Sequence, residues 1–362
     1  MMQKKIPETM ISRLMAWFRD HSREMPWRGS KDPYRIWVSE MMLQQTQVRT
    51  VEKYFPHWIE RFPDVFTLAD ASLEDVLKVW EGLGYYTRAR NFHRGAKYIA
   101  EHAPAQGSPF PEKYEEWLKV PGVGPYTAAA VSSIAFAYPA GVVDGNVLRV
   151  MSRLFCEDAP PSSPAFRRAI FDCIGASFYG FHPGWVNQAW MELGSLRCKK
   201  VPACPDCPLR ESCCARRKGL TEHYPPEREK KKLPLRRGAA FIIRGEDGTL
   251  MVRRYPKGFL GGLWEYPGYT LAAGEAEASG YRREFAGKSG LRVGDRIAEP
   301  VRHSYSHFHQ HMEIYAADIT GEWRLRDWEK ARWVTAGEMR ELPRTGLAKK
   351  IGKALEDARR DN

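Results

Sequence analysis

The hydrophobic period changes once along this chain, and that change divides it into two kinds of structure. From Glu8 to Gly194 apolar residues return every three or four positions, as in 11–18, 47–59, 71–80 and 164–178, the spacing of helices that bury one face. Pro63, Gly82, Pro121 and Pro139 supply stops between them. From Ala239 the period is two. AAFIIR (239–244), a GEDG turn and TLMVRR (249–254) predict a hairpin, with further strands over 262–270, 299–305 and 309–317 and one helix over 275–288. The pattern therefore predicts a multidomain chain: an all-α domain over 1–216, a basic linker over 217–237 that contains Pro225 and Pro226, and an α+β domain over 238–362.

A chain of 362 residues can build two cores, and 43% hydrophobic content is globular rather than disordered. Its formal charge of +12 suits a polyanionic partner. No apolar run reaches the roughly 18–20 residues of a membrane span, and MMQKKIPETM lacks the apolar stretch of a signal peptide. A cytoplasmic monomer with no membrane partner is expected. The seven cysteines, five of them between 198 and 214, are not spread like a disulfide framework. Cys156 and Cys173 fall in apolar helical patterns and read as small buried hydrophobes.

Three modules carry chemistry. In VPGVGPYT (Val120–Thr127), Gly122 and Gly124 lie between two helical stretches, 112–119 and 125–137. A glycine hairpin there brings backbone N–H groups to a phosphate without Cβ interference, and the helix opening at Pro125 adds its free N-terminal donors; a tight helix–helix turn without a ligand is the other reading. Cys198, Cys204, Cys207 and Cys213 leave gaps of five, two and five residues, and four soft ligands in one short loop suit zinc or an iron–sulfur cluster equally. Cys214 could replace Cys213 in another register. Finally, Glu40 sits in IWVSEMML, where burial would raise its pKa toward that of a useful acid, and Asp144 opens a helix whose N-terminus would keep it ionised. Without further context, a surface glutamate and an ordinary N-cap explain the same two residues.

VPGVGPYTAAAVSSIAF and VVDGNVLRV, with WVSEMMLQQTQV (37–48) and GLGYYTRARN (82–91) before them, resemble the helix-hairpin-helix, endonuclease III-like DNA glycosylases, and within them the MutY-like, adenine-specific branch. The resemblance is strong over about 8–214 and looser beyond. It implies a helix-hairpin-helix glycosylase domain with a [4Fe–4S] loop at 198–213, followed by a Nudix-like domain. It implies that Glu40 protonates the leaving adenine and activates water, and that Asp144 stabilises the cationic sugar. Trp27 and Arg28 would line the adenine pocket, and Gln45 and Tyr86 would be inserted into the duplex when the base is extruded. Gly122 and Gly124 would hold backbone phosphate. The related glycosylase/lyases carry a Schiff-base lysine where this chain has Tyr126, so base release without strand cleavage is expected. The family's first cysteine gap is usually six residues, one longer than KKVPA gives here.

Residues 238–357 resemble a Nudix fold whose acidic signature is broken: Glu275 and Arg283-Glu284 remain, but Gly287 and Lys288 replace the following acidic pair, so pyrophosphate hydrolysis is not expected. In the family this domain reads 8-oxoguanine opposite the adenine, which assigns that task here to Tyr305, Ser306 and His307. Histidines 303, 307, 309 and 311 offer a competing metal reading, since alternation would place them on one strand face. The expected partner is double-stranded DNA with an adenine opposite 8-oxoguanine or guanine. The competing functions are a glycosylase/lyase acting on oxidised pyrimidines and a non-catalytic DNA-binding scaffold.

Overall fold

A computed structural model describes residues 5–226, 232–271, 287, 290–321 and 328–360. It separates into two compact units, one of 1–70 with 91–230 and one of 71–90 with 231–362. The segment 71–90, helical in period like its neighbours, is thus counted with the second unit. Among the described residues no helix is long and apolar enough to cross a membrane.

The first unit is helical throughout. Its centre is the helix Pro33–Leu43, which is capped by the Asp32 side chain on Tyr34 N–H, starts on a proline, and is buried almost all round. Trp37 of this helix meets Phe92 and Trp117 edge-on, and Tyr34 O–H donates to the Phe62 carbonyl. The next wall is Pro125–Phe136, whose buried face is small (Thr127 to Ser133) and so allows close packing. Gly145–Phe155 and Pro183–Leu196 cross nearby, and Gly194 is what permits it: a Cβ there would lie 2.6 Å from that of Asn146. Asn187, fully buried, donates to Ser133 Oγ and the Ala140 carbonyl and accepts from Val142 N–H, which fixes the segment leading into Asp144.

In the second unit the strands are β1 (Leu235–Gly245), β2 (Gly248–Arg254), β3 (Trp264–Glu265), β4 (Gly268–Thr270), β5 (Leu291–Ser304), β6 (His309–Ile319) and β7 (Trp328–Val334). They run in the order β3-β2-β1-β6-β5, with β4 on β1 and β7 on β2. β1 and β6 are parallel; the other pairs are antiparallel. Alternation along β1 divides its side chains between two cores: Ala239, Phe241 and Ile243 face one, Ala240 and Ile242 the other, which the C-terminal helix Gly346–Arg360 covers with Leu347, Ala348, Ile351 and Leu355. The expected hairpin and the strands at 262–270, 299–305 and 309–317 are all present. The helix expected over 275–288, with Glu275, Arg283 and Glu284, lies outside the described residues apart from Gly287.

Candidate active site

Glu40 is only 5% exposed, on the last turn of Pro33–Leu43. Burial lifts its carboxyl from an ordinary 4.5 to about 7; the Tyr126 hydroxyl, which donates to Oε2, and the Arg28 charge pull it down, and the Asp144 charge pushes it further up. Tyr126 is itself held far above its usual value by burial and by Glu40, so it stays a neutral donor. Asp144 caps Gly145–Phe155: Oδ1 accepts from Val147 N–H at 2.7 Å and Oδ2 from Asn146 Nδ2 at 2.9 Å. Burial raises its pKa and outweighs the Val147, Asn146 and Arg149 contributions that lower it.

Glu40, Tyr126, Asp144, Trp27 and Arg28 all line one cavity of about 190 Å³, below the size of common ligand pockets and suited to a single flat heterocycle. Trp27 packs edge-on to Phe55 at 5.4 Å. Arg28 donates to the Arg23 carbonyl and to Glu192 Oε2 at 3.1 Å. Glu192 is a residue that the sequence reading missed. It lies in the apolar run WVNQAWMELG, is buried, and lines the same cavity. Its Oε1 takes Arg23 N–H and Nε at 3.0 and 2.8 Å, and its Oε2 takes Arg23 and Arg28 guanidinium groups. Burial alone would raise this carboxyl, but the arginine hydrogen bonds prevail and bring it to about 2. One cavity thus holds two buried carboxyls shifted in opposite directions, the usual mark of divided acid and anion roles.

Around the cavity, the hairpin glycines differ. Gly122 has φ +82°, and a Cβ there would lie 2.4 Å from that of Asn91, so only glycine fits. Gly124, the N-cap of Pro125–Phe136, faces open space and leaves the helix-terminal donors accessible. Gln45 is exposed in a left-handed turn (φ +58°), a conformation that costs a non-glycine residue energy and projects the side chain outward. Gln44 instead points inward, donating to Thr127 Oγ1 at 3.0 Å. Of the tyrosine pair, Tyr86, the one expected to enter the duplex, is 8% exposed, whereas Tyr85 is 45% exposed with φ +47° and lies under the Arg88 guanidinium at 5.5 Å.

Tyr305, Ser306 and His307 form the turn between β5 and β6, closed by Tyr305 N–H on the Phe308 carbonyl at 2.9 Å. Within the second unit they line a pocket of about 490 Å³ with Tyr85, Tyr86 and Phe259. Histidines 303, 307, 309 and 311 do not share a strand face, because His303 is on β5, His307 is in the turn, and His309 and His311 are on β6. Among the described residues no group of three or more His, Cys, Asp or Glu is gathered to hold a metal ion.

The cysteine loop follows Pro183–Leu196. The thiols of Cys198, Cys204 and Cys213 are near enough to bear electrostatically on Cys207, and Arg153 places a guanidinium N–H 3.4 Å from Cys198 Sγ. Arg153, almost fully buried, also donates to the carbonyls of Lys199, Lys200 and Tyr224, and Arg149 to that of Cys198, so the helix that Asp144 caps is braced by this loop. Cys156 is not a buried hydrophobe. It ends that helix, half-buried and left-handed, and is disulfide-bonded to Cys214, which removes Cys214 from the ligand set. Cys173 is buried as expected.

Residues 38–171 match the family model of the HhH-GPD superfamily base excision DNA repair proteins, and 238–354 match the NUDIX domain model. The chain is 31% identical to the mouse adenine DNA glycosylase, over 96% of this chain and 78% of that protein. It is 30% identical to the human adenine DNA glycosylase, over 93% and 72%. A thermostable thymine-DNA glycosylase shares the fold of the helical part, with a TM-score of 0.51 at 24% identity over 57% of this chain and 95% of that one.

Proposed function

Because the chain belongs to the adenine DNA glycosylases, a branch of the HhH-GPD superfamily of base excision DNA repair proteins, we propose that it releases adenine from pairs with 8-oxoguanine or guanine in duplex DNA by hydrolysis, with Glu40 and Asp144 as its two catalytic carboxyls. The observation that carries this reading is a protonatable Glu40, buried, fixed by Tyr126 and opening into the same base-sized cavity as Asp144.

The C1′–N9 bond breaks with its electron pair leaving on the base, and the Glu40 proton neutralises a ring nitrogen of that base. Asp144 offsets the positive charge that develops on the sugar; its Val147 and Asn146 hydrogen bonds keep the carboxylate form available. Water then adds to C1′ and returns a proton to Glu40, leaving an abasic site. Both oxygens of ionised Glu192 are engaged by Arg23 and Arg28, so what it offers the exocyclic amino group of adenine is a fixed negative charge on the cavity wall, which suits an amino donor and not the oxygen of a 6-oxo purine. We assign the filling of the duplex, as the base turns out, to the exposed Gln45 and to Tyr85 rather than the buried Tyr86, and the holding of its backbone to the hairpin at Gly122–Gly124. With no lysine at Tyr126, borohydride should trap no covalent complex and strands should stay intact until the abasic product is treated with base. Efficient trapping of the unaltered protein would make it a lyase.

Cys198, Cys204, Cys207 and Cys213 suit a [4Fe–4S] cluster: four soft donors in one short loop, three of them near enough to bear electrostatically on Cys207, with the Arg153 guanidinium beside Cys198. When bound, the cluster supplies no proton or nucleophile; it holds the loop that Arg149 and Arg153 tie to the Asp144 helix. Purified protein should contain about four irons per chain and absorb broadly near 400 nm. One zinc and no iron would reverse the assignment.

Reading of the opposite base is assigned to Tyr305–His307, on the pocket that they share with Tyr85. Replacing Ser306 and His307 by alanine should cost about 1–3 kcal/mol of discrimination between 8-oxoguanine and guanine, the scale of one base-specific contact. Excision rates on the two duplexes measure it; an unchanged ratio would remove the turn from recognition.

A further inference from the structure

The second unit contains a cationic recess that the reaction does not use. Its floor is Tyr266, only 6% exposed, and its walls carry Arg244 from β1, Arg344 from the segment before the C-terminal helix, and Arg359 from that helix's last turn. The recess encloses about 440 Å³.

Like charges crowd here. Burial and the neighbouring Arg359 push the Arg244 guanidinium below its ordinary value. Around the buried Tyr266 phenol, Arg344, Arg244 and Arg359 act together, opposed by Glu356, the one carboxylate among the described lining residues. None of the three arginines forms an ion pair among the described residues, and Arg344 Nε is buried without a hydrogen-bond partner. Lys349, on the rim, is already paired with Glu81 at 2.9 Å. Gly352 keeps the floor open: a Cβ there would stand 3.4 Å from Tyr266 Oη and 4.0 Å from Arg344 Nη1. Three forked donors without ion-pair partners among the described residues match the oxygens of a phosphate, and the phenol at the base, which in the structure donates only weakly to Met339 Sδ at 3.6 Å, exchanges that contact to complete the shell.

We propose that this recess binds the terminal phosphate of a small phosphorylated ligand, separately from the DNA-processing site. A phosphate at the end of a small molecule can descend to Tyr266, whereas a phosphodiester held on the convex surface of a duplex stays at the rim.

The test is calorimetric titration of the full chain with inorganic pyrophosphate and ADP, alongside a fluorescence titration with undamaged duplex. Saturable one-to-one binding of both small probes is expected. Arg344→Gln and Arg244→Gln should each weaken it at least tenfold, Gly352→Glu should remove it, and adenine excision should stay within twofold. Arg244 is exposed, so its variant keeps the test valid if Gly352→Glu fails to fold. Absence of saturable binding, or binding that all three variants leave unchanged, would overturn the proposal. So would variants that weaken duplex affinity while sparing pyrophosphate, which would assign the recess to the DNA backbone.

Discussion

Glu40→Gln is expected to abolish adenine release and at the same time to make the protein more stable above neutral pH. The first effect follows from the loss of the only transferable proton that Glu40 brings to the cavity; the amide still accepts the Tyr126 hydroxyl, so geometry survives. The second follows from linkage. Glu40 is raised from 4.5 to about 7 in the folded protein, so the fold binds that proton more tightly than the unfolded chain does. Stability therefore falls as pH rises from about 4.5 to about 7, and above this the buried charge costs on the order of 3 kcal/mol. Glutamine carries no such cost. Thermal unfolding of the two proteins should coincide near pH 4.5 and separate by several degrees at pH 8. In the unaltered protein, single-turnover excision should fall about tenfold per pH unit above 7 as the proton is lost. Retained excision by the variant, or a melting difference that ignores pH, would take Glu40 out of the proton-donor role.

That Glu40 could be found in the sequence at all is a matter of local physics. IWVSEMML is apolar on every side of a helix, so a glutamate within it has no solvated face to occupy. The same signal was present at Glu192 in WVNQAWMELG and went unread, because its meaning depends on Arg23, 169 positions away, which no periodicity connects to it. Asp144 was legible as an N-cap, but not the depth at which the fold sets it, so the rise that burial gives its pKa was not legible either. Tyr85 and Tyr86 are neighbours of identical chemistry. What separates them is a left-handed φ at Tyr85, which turns one ring outward and the other inward. The Cys156–Cys214 bond spans 58 residues and could not be read from either helical context. The period of two located the sheet well, whereas Trp328–Val334 and the amphipathic Gly346–Arg360 were not among the expected elements although the latter shows a regular apolar stripe.

Glu192→Ala is expected to damage both the fold and the reaction, and the two effects are separable. In the fold, Glu192 answers two guanidinium groups, Arg28 well covered and Arg23 about a third exposed. Removing a buried partner strands their charge, and losses of this kind run to about 3–5 kcal/mol, lessened here by the solvent that reaches Arg23. Because the Glu192 pKa is depressed to about 2, its share of stability is present above the unfolded value near 4.5 and disappears as pH falls toward 2. The variant should therefore show a smaller melting difference from the unaltered protein in acid than at pH 7. In the reaction, the cavity loses its fixed negative charge and faces the adenine amino group with two cations instead. Excision measured well below the variant's melting temperature should drop by on the order of a hundredfold. Glu192→Gln, which preserves shape and one acceptor oxygen, should recover part of the rate while remaining destabilised. If Glu192→Ala melts early but cleaves adenine at the original rate in its folded state, Glu192 serves packing alone and the amino group of the base is read elsewhere.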